Sequence, residues 1–293
     1  MHNMRNMGVA EFMELFIREL EGNAELRGYY KLLDNKQRYL WRKSYLEQRL
    51  AFINRSVAAA PSCIWDAGCG YGTTALFLAL QGHEVMGNTL EFYYDKISRR
   101  LDYWSRYGDV SGFRVEYANI FDMQVAPRSF DAIIAQDTLH HLEPIGDALR
   151  IFNQSLRQNG KLIVVEENGN NVYINLKNFL KRGFNKVTVY YDEKLQQEIL
   201  FGNENARSLK KWGMLLTESG FEVPADSVEY IRFCLPVGFN DRNTKIIQEQ
   251  ERKLAGNCSL LRELLFFGIN FTAEKSNKNQ EPRAKSQNLK PKA

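Results

Sequence analysis

Cysteine is sparse in this chain and nowhere paired: Cys63, Cys69, Cys234 and Cys258 show no C-x-x-C spacing. Neither a disulfide framework nor a zinc site is expected, and no metal site of another kind is suggested. Histidine is equally scarce, with only four in 293 residues, yet two of them are adjacent at His140 and His141. Long apolar runs are missing too. No stretch approaches the roughly 18 residues of a membrane span, and the N-terminus lacks the basic-then-apolar layout of a secretory leader. A reducing cytoplasm is the expected setting. A basic body is also absent. The net charge of +4 sits wholly in residues 276–293, where Lys278, Arg283, Lys285, Lys290 and Lys292 face only Glu281. That tail is rich in Asn, Gln, Ser, Pro and Lys and has almost nothing to bury, so it reads as disordered and solvated rather than as a nucleic-acid arm.

What is present is ordinary in bulk. A composition of 44% hydrophobic and 25% charged residues fits a soluble globular chain, long enough for one large α/β domain with elaborations or for two small domains. Residues 1–60 read as a helical extension or lid: Val9, Phe12, Met13, Phe16, Ile17 and Leu20 recur at helical spacing, and a second periodic stretch runs from about 36 to 57 before Pro61. From there strand-like and helix-like segments alternate. The strand candidates are 63–65, 84–87, 113–117, 130–135 and 161–165, with helices near 73–81, 91–106 and 144–157, the last ended by Asn159-Gly160. Such alternation predicts a mostly parallel sheet with helices on both faces and ligands at the carboxyl ends of the strands.

After Val165 the rhythm breaks. Residues 166–207 carry no strong strand signal, though Val172 to Lys186 has the pattern of an amphipathic helix bearing Lys177, Lys181, Arg182 and Lys186. Helix returns at 208–219, a strand at 228–234, helix near 242–255, and a last strand-like run at 264–272. The segments 166–207 and 236–262 are expected to flank the mouth of the cleft as lid or substrate-binding insertions within a domain spanning 61–275.

The most informative motif is Asp66-Ala67-Gly68-Cys69-Gly70-Tyr71-Gly72, placed after the apolar Cys63-Ile64-Trp65 and before a helix-like run. Residues without Cβ let backbone approach a ligand closely, and the following helix offers unpaired amides and its positive dipole end. A dinucleotide turn would place a third glycine five positions after the first; here that position is Thr73.

DAGCGYG resembles the first motif of the class I S-adenosylmethionine (SAM) dependent methyltransferases. The resemblance covers residues 60–165 well and 208–273 loosely. It implies a Rossmann-like α/β fold: a seven-stranded, mostly parallel sheet with an antiparallel C-terminal hairpin, preceded by the helical N-terminal extension. It implies SAM as cofactor, wrapped by Gly68, Gly70, Tyr71 and Gly72, with Asp66 beside its amino-acid end. At the second strand tip, where the family commonly has an acid for the ribose hydroxyls, Gly87-Asn88-Thr89-Leu90-Glu91 offers Thr89, with Leu90 adjacent; Gly-x-Thr-Leu is similar to the lipid-modifying cyclopropane-synthase branch. Thr89 and Glu91 both stand open for the ribose. Asn119 and Ile120 fall where the adenine would be held, and Gln136 beside the cofactor.

At the fourth strand end Leu139-His140-His141 resembles the family's Leu-His-His segment, with His141 pointing into the cleft. Histidine is the side chain best suited to take a proton near neutral pH, so His141, and after it His140, are the candidate bases, set against a purely pocket-shaping role. Glu166-Glu167-Asn168-Gly169-Asn170-Asn171 is either a polar ligand edge or an exposed turn. The implied reaction moves a methyl group to an O, N or C atom of a small-molecule or lipid-like acceptor, and a basic amphipathic stretch can touch a membrane surface transiently. A nucleic-acid methyltransferase, a SAM-binding protein without catalysis and a dehydrogenase are the alternatives.

Overall fold

The structure, a computed structural model, describes residues 7–276 apart from 91, 92, 234 and 241. Three helices come first, α1 (Val9–Gly22), α2 (Ala24–Tyr30) and α3 (Lys36–Ser56). The alternating part follows as β1 (Cys63–Ala67), α4 (Thr73–Ala79), β2 (Glu84–Thr89), α5 (Tyr94–Trp104), β3 (Phe113–Tyr117), β4 (Phe130–Gln136), α6 (Ile145–Ser155) and β5 (Leu156–Glu167). The remainder is α7 (Val172–Arg182), β6 (Val187–Asp192), β7 (Gln197–Gly202), α8 (Leu209–Glu218), β8 (Phe221–Glu222), β9 (Glu229–Ile231), α9 (Thr244–Asn257), α10 (Ser259–Leu265) and β10 (Gly268–Lys275).

The main sheet runs β3-β2-β1-β4-β5-β10-β8, with β9 also paired to β10. Strands β1 to β5 are mutually parallel, whereas β10 is antiparallel to β5, β8 and β9. The expected C-terminal hairpin is therefore built by β10 holding two short strands at different heights, which makes eight strands. Alternation along each strand splits the core into two layers. Ile64, Ile134, Ile163 and Val165 pack toward α1, α4 and α5; Trp65, Ile133, Leu162 and Val164 pack toward α6 and α8.

The N-terminal helix is part of the first layer. Phe12 and Phe16 are fully buried, and the Phe12 ring lies 4.6 Å from that of Trp104 in α5. Beneath the glycine turn, Arg100 of α5 donates from Nε (2.8 Å) and Nη2 (2.6 Å) to the Glu19 carboxylate of α1. Its Nη1 donates to the Tyr71 carbonyl and to Thr73 Oγ1, each at 2.7 Å. Trp104 Nε1 completes the cluster at 2.9 Å from Glu19. A charge pair this deep is tolerated because its lone pairs and N–H groups are paired in good geometry.

Several boundaries differ from the sequence expectation. The segment 166–207 contains a strand pair after all, the antiparallel hairpin β6–β7, and Val187-Thr188-Val189-Tyr190-Tyr191 is the β-branched and aromatic run that encodes it. Helix α6 stops at Ser155, and Asn159-Gly160 lies inside β5, where Asn159 takes a positive φ of 64°. Leu264 and Leu265 end α10 instead of opening the last strand. Glu91 and residues 277–293, hence nearly all of the basic tail, lie outside the described residues.

Candidate active site

Because β1 to β5 are parallel, their carboxyl ends share one edge, and strand order reverses between β1 and β4. That is the switch point where open α/β sheets bind ligands. A cavity of about 720 Å³ opens there, within the range of small-molecule sites. Of the residues singled out from sequence, Asp66, Gly68, Gly70, Tyr71, Thr89, Leu90, Asn119, Ile120, Gln136 and His141 line it. Gly72 and His140 do not.

The three glycines of the turn differ in what surrounds them. Gly68, Gly70 and Gly72 all have positive φ, at 71°, 53° and 74°, a region costly to other residues. A Cβ on Gly68 would meet Thr138 Cγ2 at 2.6 Å, and one on Gly72 the Phe113 ring at 2.8 Å. Both therefore serve packing between the turn and neighbouring strands. A Cβ on Gly70 would find nothing nearer than the Tyr29 hydroxyl at 4.0 Å, so its bare face looks into the cavity. The turn is tied down by the Cys69 amide, which donates to the Asn88 carbonyl at 2.8 Å. Asn88 Oδ1 in turn accepts from Trp65 Nε1 (2.9 Å) and from the Gly68 amide (3.2 Å). Tyr71 donates to Glu25 of α2 at 3.0 Å and packs edge-on against Tyr29 and Tyr93.

Asp66 is buried, and its Oδ2 has no hydrogen-bond partner among the described residues. Burial pushes its carboxyl up to about 7, against an opposing hydrogen bond from the Ala75 amide. A lone acceptor of this kind beside the bare face of Gly70 suits a ligand with a cationic group. Gln136 is oriented by Thr74, whose hydroxyl donates to Oε1 at 2.9 Å. Asn119 accepts from the Phe121 amide at 3.4 Å and so closes the turn after β3.

The two histidines are held quite differently. His140 is buried, with Nδ1 2.5 Å from Glu166 Oε2. Burial disfavours its charged form, but the Glu166 carboxylate outweighs that and lifts it to about 9. Glu166 itself is fully buried and also accepts from the Thr138 (3.1 Å) and Leu139 (2.7 Å) amides. His141 Nδ1 lies 2.9 Å from the Gly202 carbonyl. A carbonyl only accepts, so Nδ1 carries the proton and the neutral ring keeps its lone pair on Nε2. Burial, with the charge of His140, holds His141 below the ordinary histidine range, and its ring stacks on Phe201 at 4.3 Å. Gly202 makes this possible, since a Cβ there would collide with the His140 carbonyl.

The polar run after β5 is neither an exposed turn nor a ligand edge over most of its length. Asn168 Nδ2 donates to the Glu263 (2.8 Å) and Phe266 (2.9 Å) carbonyls, and Asn171 caps α7 by accepting from the Ile174 amide at 2.9 Å. Residues that sequence reasoning missed form the opposite wall. Tyr29, Tyr30, Trp41 and Tyr45 come from α2 and α3. Arg49 pairs with Asp137, and Arg232 sits just past β9 in a positive-φ conformation. The Arg232 guanidinium lies over the rings of Tyr45 (3.9 Å), Trp41 (4.6 Å) and Phe267 (5.0 Å). Five basic residues line the cavity, Lys31, Arg38, Arg42, Arg49 and Arg232, against Asp66 and Asp137.

A mostly parallel sheet with helices on both faces, with this turn and cavity at its strand-order reversal, defines a Rossmann-like fold. Residues 65–164 match the family model described as "Methyltransferase domain", and the fold is the Rossmann-like methyltransferase fold. Three solved structures illustrate the likeness. The YcgJ protein from Bacillus subtilis is 17% identical over 78% of this chain and 98% of its own, with a TM-score of 0.53. A SAM-dependent methyltransferase from Archaeoglobus fulgidus is 14% identical over 78% and 94%, at 0.51. The [4+2]-cyclase SpnF is 17% identical over 83% and 85%, at 0.54. At such identities the likeness speaks for the fold alone. No curated protein matches the chain.

Proposed function

We propose that this protein is a SAM-dependent methyltransferase acting on an O, N or C atom of a small, largely apolar acceptor that bears an anionic or polar group. The observation that supports this most is the pairing, across one cavity, of the bare Gly70 face and the unpartnered Oδ2 of Asp66 with the oriented, neutral His141. The cofactor supplies an electrophilic methyl group on a sulfonium. Gly70 and Asp66 receive its amino-acid end, Thr89 the ribose, and Asn119 and Ile120 the adenine, with Gln136 alongside. His141 accepts the acceptor's proton at Nε2, while His140 and Glu166 fix the segment that carries it. The aromatic wall excludes water and, with alignment of the reactants, contributes most of what a displacement needs. The helical segment 24–56 acts as a lid, and Arg232 and its basic neighbours select the acceptor.

Replacing His141 with Ala is expected to leave S-adenosylhomocysteine affinity unchanged and lower kcat by roughly 10²- to 10⁴-fold, the range for a general base. The basic form exists above the pKa, and that pKa is held below the ordinary value. Activity in the wild type should therefore persist at pH 6.5 and fall only at more acid pH.

Asp66 gives a second check, through the pH dependence of binding. Burial raises its folded pKa to about 7, so apo stability is greatest below the unfolded carboxylate pKa and declines as pH rises toward 7. A cationic amino group beside it favours the charged form, so binding releases a proton. Calorimetric affinity for S-adenosylhomocysteine should rise with pH through the region of 7, by up to about tenfold per unit below the pKa. In Asp66→Asn the affinity should be flat.

The direct test is incubation with methyl-labelled SAM and a small-molecule extract, followed by mass identification of labelled product. Transfer into an extract component is expected. Cofactor binding with no transfer to any component would favour instead a protein that uses the cofactor without methylating, a second reading that rests on one solved structure of this fold being named a cyclase.

A further inference from the structure

Helix α7 and the hairpin that follows it leave a large apolar face uncovered. Tyr173, Leu176, Leu180 and Phe184 recur at helical spacing and are 64%, 56%, 75% and 88% exposed. Only Ile174 and Asn178 of α7 are buried. The hairpin continues the surface outward with Val187, Val189 and Tyr191, all exposed, while Tyr190, Ile199, Leu200 and Phe201 line the cavity. An apolar surface of this extent on a protein otherwise well packed marks an interaction site.

Charge indicates the occupant. From 172 to 191 there is no acidic residue, and Lys177, Lys181, Arg182 and Lys186 interleave with the apolar positions. Acidic groups return only at the hairpin's far end, with Asp192 turned inward onto Tyr117 and with Glu193 and Glu198. A second copy of the chain meeting this face across a two-fold axis would oppose lysine to lysine. A surface of negative charge over an apolar interior satisfies both halves of the pattern.

We propose that α7 and the β6–β7 hairpin dock on an anionic lipid bilayer, with Leu176, Leu180 and Phe184 entering the interface and the exposed Lys181 and Lys186 lying among the headgroups. No helix among the described residues is long and apolar enough to cross a membrane, so attachment is peripheral. It places the hairpin, whose inner side walls the cavity, at the lipid surface, which gives an apolar acceptor a short route inward. The inference goes beyond the methyl-transfer reading and stands or falls separately from it.

The test is sedimentation of the full chain with phosphatidylcholine vesicles and with vesicles also containing phosphatidylglycerol, at low and high salt. Wild type should bind the anionic vesicles, weakly or not at all the neutral ones, and lose affinity as salt rises. The triple variant Leu176→Ser/Leu180→Ser/Phe184→Ser retains every charge, including those of the C-terminal tail, and should bind on the order of tenfold more weakly or less. Its thermal melt should be unchanged because the replaced side chains are exposed. Equal binding by wild type and variant, or no binding by wild type, would overturn the proposal. So would light scattering that shows a wild-type dimer converted to monomer in the variant, which would make the face a contact between copies. S-adenosylhomocysteine affinity, measured on the same samples, reports the cofactor site independently.

Discussion

Gly70→Val is expected to lower affinity for S-adenosylhomocysteine by about a hundredfold while the protein still folds. The first side-chain atom has room, since the nearest group to a Cβ at this position is the Tyr29 hydroxyl at 4.0 Å. The valine then fills the space where the ligand approaches backbone. Overpacking a close contact costs roughly 1–3 kcal/mol, and about 1.4 kcal/mol is tenfold in affinity. The left-handed backbone at φ 53° adds a folding cost of about 1–2 kcal/mol. Gly82→Val controls for that cost, because Gly82 also has a positive φ and lies away from the cavity, with its nearest neighbour at 4.0 Å. The control should melt lower but bind normally by calorimetry.

Breaking the buried pair under the turn should have the largest effect on stability. Glu19→Ala leaves the Arg100 guanidinium, itself 2% exposed, without its bidentate partner, and strands Trp104 Nε1. A loss of about 3–5 kcal/mol in urea-unfolding free energy is expected, the usual cost of removing one member of such a pair. Glu19→Leu/Arg100→Met removes both charges and should recover most of that loss. It should still bind cofactor more weakly than wild type, because the hydrogen bonds from Arg100 to the Tyr71 carbonyl and Thr73 hydroxyl are gone. Recovery of stability together with full affinity would show that the pair supports the fold but not the turn.

Much of this architecture is legible in sequence where chemistry is local. A strand of apolar residues, an Asp, a glycine turn and a helix lie in one continuous stretch, so the stretch from Asp66 through Gly70 reads as a candidate ligand turn, and it lines the cavity. Asn119, Gln136 and His141 follow from their positions at strand ends. Other features depend on contacts far apart in the chain. Arg232 gains its place only when β9 pairs with β10 and α3 brings Trp41 and Tyr45 against it, and neither segment alone signals a ligand wall. Gly72 is indistinguishable in sequence from the other glycines of the turn, yet its bare side faces Phe113. His140 stands beside His141 as a candidate base by adjacency alone; the carboxylate that occupies it, Glu166, lies a full strand away. The β6–β7 hairpin escapes a reading by pattern although Val187-Thr188-Val189-Tyr190-Tyr191 favours a strand. Its outer face is apolar too, so the alternation that marks a half-buried strand is absent.

The central claim, that this cavity is built for the methyl donor, is tested most directly by titration calorimetry of the full chain with S-adenosylhomocysteine and, separately, with NADH. Saturable one-to-one binding of the first and none of the second is the expected result. Binding of NADH with no heat from S-adenosylhomocysteine would contradict it.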